Sequence, residues 1–141
     1  MFPRAMPIIL RVLSDKNVSG AVDLSRTYIG LWCENFGEGI VEITSEEHFA
    51  EIAGFRGERG LRSWRDRVRM LAALGFLRVH ELEARKIGFV AVLRPYSAMK
   101  RLRSRGLITD GWWAAYSKKL IDAGVESEAL AESVQTALET I

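Results

Sequence analysis

The chain has 141 residues, 48% of them hydrophobic and 27% charged, enough for one domain with a buried core. That balance argues against a disordered chain, no apolar run reaches the ~18 residues of a membrane-spanning helix, and the single Cys33 can form neither an intrachain disulfide nor a zinc cage. The formal net charge is +2 and the N-terminus reads as a poor signal peptide, so a cytoplasmic protein is expected.

Pro3 to Leu13 is apolar and reads as a short helix or arm (within an N-terminal segment 1–21), with Pro7 placed to interrupt it. Ser14 to Gly20 is rich in turn formers and reads as a loop. Leu24, Tyr28, Leu31 and Trp32 recur at helical spacing, predicting an amphipathic helix over 22–36 that Gly37 and Gly39 stop. The β-branched run Gly39 to Ile43 predicts a short strand. Thr44-Ser45-Glu46-Glu47 has a capping-box pattern, with Thr44 expected to accept from the Glu47 N–H. The short helix it opens should turn Phe49, Ile52 and Ala53 inward, and Gly54 suits a left-handed cap.

Residues 55–60 read as a loop. A helix over 60–74 follows, with Leu61, Trp64, Val68 and Leu71 inward and Gly75 as its stop. The period then changes to two: Leu77 and Val79 form one run, Ile87, Phe89, Ala91 and Leu93 another. With the polar connector 80–86 between them, residues 76–93 predict a β-hairpin. Pro95 suits the first turn of a helix running to Gly106, and Thr109 or Asp110 caps another carrying Trp112, Trp113, Tyr116 and Leu120. A last weakly amphipathic helix is expected over 127–139.

The near-zero net charge hides a segregation. Residues 54–105 hold 14 Lys and Arg against 4 acids, whereas the other 89 residues hold 6 against 14. A basic surface on a near-neutral molecule favours a polyanion, nucleic acid first. Six arginines lie between Arg56 and Arg69. At ~100° per residue the side of helix 60–74 opposite Leu61 and Trp64 carries Arg62, Ser63, Asp66, Arg69, Met70 and Ala73, flanked by Arg65 and Arg67. A solvated face would mix Lys and Glu, but this one has Asp66 alone for balance, expected to pair with Arg62. Arginine's planar fork binds phosphate or a guanine edge at two points, which Lys cannot match.

Ala50 and Gly54 stand four apart, flanked by Phe49 and Phe55, with Leu61 and Trp64 at core positions of the next helix after a slightly lengthened turn. With the order helix, strand, helix, helix, hairpin over 22–94, this resembles the winged helix-turn-helix domain. The resemblance implies an α+β, mostly helical fold; the further helices that the residues predict over 95–141 would pack on the core or form a dimer interface. It also implies that the second helix enters the major groove of double-stranded DNA. Arg62, Ser63, Asp66 and Arg69 are then expected at base edges, Arg56, Arg59 and Arg65 on flanking phosphates, and Arg85 and Lys86 of the wing on the backbone or adjacent minor groove. Lys100 to Arg105 would extend the phosphate contacts, or is a solvated helix end. The sequence also resembles proteins of bacterial plasmids and integrative elements. That implies a regulator of transcription or a replication or maintenance factor, and Arg outnumbering Lys 15 to 5 is compatible with a GC-rich bacterial genome.

Catalysis is not expected, and neither is a cofactor or a metal. His80-Glu81-Leu82-Glu83-Ala84 begins like a zinc-binding HExxH, but Ala84 occupies the second histidine's place and the segment falls in a hairpin. His48 reads as a surface residue and Cys33 as an inert buried thiol. The glycines at 54, 57 and 60 match no phosphate loop. The Trp112-Trp113 pair reads as core before platform, and with the acid-rich C-terminus it suits a homodimer interface. An acidic protein partner of a winged-helix module is the alternative to DNA; RNA is disfavoured because Trp64, the aromatic of the arginine-rich helix, faces inward.

Overall fold

The computed structural model describes residues 4–20, 22–34 and 39–122. Among them the chain is α+β and mostly helical: α1 (Met6–Leu13), α2 (Lys16–Ser19), α3 (Ser25–Cys33), β1 (Ile40–Glu42), α4 (Glu46–Ile52), α5 (Gly57–Ala73), β2 (Leu77–Glu81), β3 (Ile87–Val92), α6 (Pro95–Ser104) and α7 (Asp110–Asp122). The strands form one antiparallel sheet in the order β1-β3-β2. The expected helix over 127–139 lies outside the described residues.

Pro7 does not interrupt α1. It occupies the first turn, where the amide it lacks would have had no helical partner, so it starts the helix. Ala5, Met6, Ile8, Ile9, Val12 and Leu13 are buried, and α1 packs against α3 and α7. The expected loop over 14–20 contains the single turn α2, because the Asp15 carboxylate accepts from the Asn17 N–H at 2.9 Å and caps it. Cys33 is exposed, not buried: it sits in the last turn of α3, away from the face carrying Tyr28 and Leu31.

Ser45, not Thr44, caps α4, its Oγ accepting from the His48 N–H at 3.2 Å. The shift by one residue swings Glu46 inward to 8% exposure. Ala50 is buried with Phe49 and Ala53, whereas Ile52 is 46% exposed. Gly54 (φ +94°) ends α4 as expected: its N–H reaches the Glu51 carbonyl at 2.9 Å and the Phe55 N–H the Ala50 carbonyl at 2.8 Å, a Schellman closure. Gly75 closes α5 in the same way through the Phe76 N–H and the Leu71 carbonyl.

The segment 55–60 is not all loop, since α5 begins at Gly57. Gly60 is buried and Leu61 half-buried, because Phe55 folds back over this turn; a Cβ on Gly60 would lie 2.9 Å from the Phe55 carbonyl carbon. Trp64, Val68 and Leu71 are buried as expected, Trp64 beside Phe49 at a ring separation of 6.2 Å. Tyr28 lies edge-on to Phe76 at 5.5 Å, and burial pushes its phenol up to about 12.

The hairpin forms, but the phase expected for β3 does not hold. Ile87, Val90 and Val92 are buried while Phe89 is 43% exposed. The pairing shifts between His80 and Glu81, leaving Gly88 as an extra residue that turns the rest of the strand over. Gly88 suits the place, since a Cβ there would lie 2.7 Å from Leu82. Pro95 starts α6, which stops at Ser104, and Thr109 caps α7 by accepting from the Trp112 N–H at 3.2 Å. Tyr116 is core, Trp113 packs partly on it at 5.6 Å, and Trp112 stays at the edge.

Candidate nucleic-acid interface

The four residues Ala53–Arg56 turn the chain from α4 into α5, and Arg56 is the first residue at the entrance. Arg56, Arg59 and Arg62 recur every third residue over the first two turns of α5, and all three are exposed. None of them makes an ion pair among the described residues. They stand at the helix end whose free amides carry partial positive charge, so cationic side chains and backbone dipole add. Glu58 lies in the same first turn and, with Glu47 and Glu51 of α4, lines a groove of about 290 Å³ beside Phe55 and Leu61.

The other arginines of α5 are occupied. Arg65 grips Glu46, its Nε donating at 2.7 Å and its Nη2 at 2.6 Å, and the same carboxylate accepts from the Ile87 N–H at 3.2 Å. One acid thus joins α4, α5 and β3. Burial alone would raise the Glu46 carboxyl; the Arg65 fork, the Ile87 N–H and the Arg65 and Lys86 charges outweigh it and hold it below the usual range. Arg69 Nε donates to Glu81 at 2.7 Å and its Nη2 to the Arg85 carbonyl at 2.9 Å, tying α5 to the hairpin. That bond holds the Glu81 carboxyl below its ordinary value. Asp66 lies 3.6 Å from Arg69, not on Arg62 as the sequence led one to expect. Arg67 stacks 4.5 Å over the Phe55 ring and donates to the Ser63 carbonyl.

The hairpin tip carries Arg85 and Lys86, both exposed. Glu83–Arg85 forms a single 3-10 turn in which Ala84 and Arg85 both sit at φ +60°. Two successive left-handed residues make the tight reversal that matches a hairpin's twist, a place where Asn-Gly is usual. The Lys86 N–H to Glu83 carbonyl bond (3.4 Å) and the Leu82 N–H to Lys86 carbonyl bond (2.6 Å) close it. In the second basic cluster Lys100, Arg101 and Arg105 are exposed, whereas Arg103 pairs with Asp110 at 2.9 Å and covers Trp113 at 5.4 Å.

Of the nine expected site residues, Arg56, Arg59, Arg62 and Asp66 share an exposed surface of α5, with Ser63 half-buried among them. Arg85 and Lys86 share the hairpin tip, which Arg69 fastens to α5. Arg65 points to Glu46. Glu46 and Glu81 were missed by the sequence reading; neither stands at helical spacing from the arginine it holds, so no local pattern marks them. The described residues contain no group of three or more side chains able to hold a metal ion, and no helix long and apolar enough to cross a membrane. Neither a family model, nor a curated protein, nor a solved structure matches the chain.

Proposed function

We propose that the protein binds double-stranded DNA through a winged helix-turn-helix, with the N-terminal half of α5 in the major groove and the hairpin tip against the sugar-phosphate backbone. The observation that carries this reading is the row Arg56, Arg59 and Arg62, exposed and without ion pairs among the described residues, at the positive end of α5. Element order α3-β1-α4-α5-β2-β3 and sheet order β1-β3-β2 are compatible with such a layout. Arg56 and Arg59 take phosphates, and Arg62 reads a base edge with Ser63 and Asp66 beside it. Arg85 and Lys86 add backbone contacts. Arg65 and Arg69 are positioning residues, since their forks hold α5 against α4 and the hairpin and so set the angle at which both meet the duplex. The role we infer is regulation of transcription, or replication and maintenance of a bacterial mobile element.

The test is selection of binding sites from random duplexes with wild type and Arg62→Ala. Wild type should enrich a sequence, and Arg62→Ala should relax the preference at one position and weaken binding by ~1–3 kcal/mol. If Arg62→Ala left both affinity and preference intact, Arg62 would not read bases. Failure of wild type to bind any duplex at low salt would shift the reading to an acidic protein partner.

A further inference from the structure

A cleft of about 280 Å³ opens on α1, α2 and the start of α7, lined by Arg11, Val12, Asp15, Ile108, Thr109 and Trp112, among others. Three features of its lining are complementary. Arg11 lies 5.6 Å over the Trp112 ring and makes no ion pair among the described residues. Asp15 uses one carboxylate oxygen to cap α2 and likewise makes no ion pair, although both charges line the same cleft. Val12 and Ile108 line the cleft but are almost wholly buried, so its exposed apolar surface is chiefly Trp112, at 36% exposure.

We propose that this cleft binds an α-amino acid with an apolar side chain. A monoanion would meet Asp15 and a monocation would meet Arg11, whereas a zwitterion satisfies both at once. Its side chain lies chiefly against Trp112, which removes apolar area from water. At about 280 Å³ the cleft lies just below the ~300–1,000 Å³ usual for drug-sized ligands, which limits it to a small molecule such as one amino acid. Two hydroxyls complete the lining: Thr109 Oγ1 accepts from the Trp112 N–H and keeps its O–H to donate to the carboxylate, while Ser14 Oγ donates to the Arg11 carbonyl. The two charges and the ring decide between ligands.

Isothermal titration of the full chain with L-phenylalanine, 3-phenylpropionate and phenethylamine tests this without reference to DNA. L-Phenylalanine should bind, and each single-charge analogue should bind about tenfold or more weakly. Arg11→Gln should weaken L-phenylalanine about tenfold and leave phenethylamine unchanged. Asp15→Asn, which keeps the helix cap, should weaken L-phenylalanine and leave 3-phenylpropionate as tight or tighter. No binding of L-phenylalanine at about 10 mM would overturn the proposal. Equal affinity for all three compounds would do the same, as would two variants that both bind like wild type.

Discussion

Replacing Glu46 by Gln removes one negative charge from the point where α4, α5 and β3 meet. The carboxylate is 8% exposed and accepts three hydrogen bonds, two from Arg65 and one from the Ile87 N–H. Gln keeps the shape but offers one acceptor oxygen, so Arg65 loses its bidentate partner at 18% side-chain exposure. Breaking a fully buried pair costs ~3–5 kcal/mol; the residual water around Arg65 brings the expected loss to roughly 3 kcal/mol. For a domain of this size that lowers Tm by about 10 °C. The pH dependence has a defined sign. Because the folded carboxyl is held below its ordinary value of 4.5, its contribution is fully present above that pH and is lost as pH falls through the folded value. Calorimetric melting of wild type and Glu46→Gln at pH 7 and at lower pH should therefore show a gap that narrows on acidification. A gap under about 0.5 kcal/mol at pH 7, the ordinary scatter of surface substitutions, or one independent of pH, would refute the reasoning.

Gly60→Ala should destabilise by ~1–3 kcal/mol in urea unfolding, although alanine favours helix, because the new methyl meets the Phe55 carbonyl carbon at 2.9 Å. Ala84→Gly should stabilise by roughly 0.5–1 kcal/mol, since glycine removes the left-handed strain at φ +60° at some gain in unfolded-state entropy; a loss of stability would show that the turn is unstrained. Trp64→Ala should lose ~3–5 kcal/mol, the range for emptying a fully buried aromatic site, read in the same assay.

Elements marked by a period or a terminator were legible in the sequence. The i, i+4, i+7 spacing of Trp64, Val68 and Leu71 marks α5 whatever lies opposite, and Gly54 and Gly75 mark helix ends through the backbone they allow. The start of α5 was hidden because Gly57 and Gly60 read as turn residues; Gly60 is there to let Phe55 approach, a tertiary reason that no local pattern carries. The phase of β3 was misread for a similar cause, since one extra residue at Gly88 reverses every side chain beyond it. The basic face of α5 was legible as a helical wheel, and Arg62 is exposed as that wheel requires, while Arg56 and Arg59, which read as loop residues, are exposed beside it. A wheel shows direction and not partners, so it could not separate these three from Arg65 and Arg69, which meet Glu46 and Glu81 from distant parts of the chain.

Fluorescence anisotropy with a labelled duplex, titrated between about 50 and 200 mM salt, tests DNA binding through α5 most directly. Wild type should lose ~10³–10⁵ in affinity across that range if 6–10 phosphates are contacted, and Arg56→Ala/Arg59→Ala should flatten the slope of log affinity against log salt by about 2. A slope unchanged in the double variant would remove α5 from the interface, and absence of binding by wild type at the lowest salt would contradict DNA binding altogether.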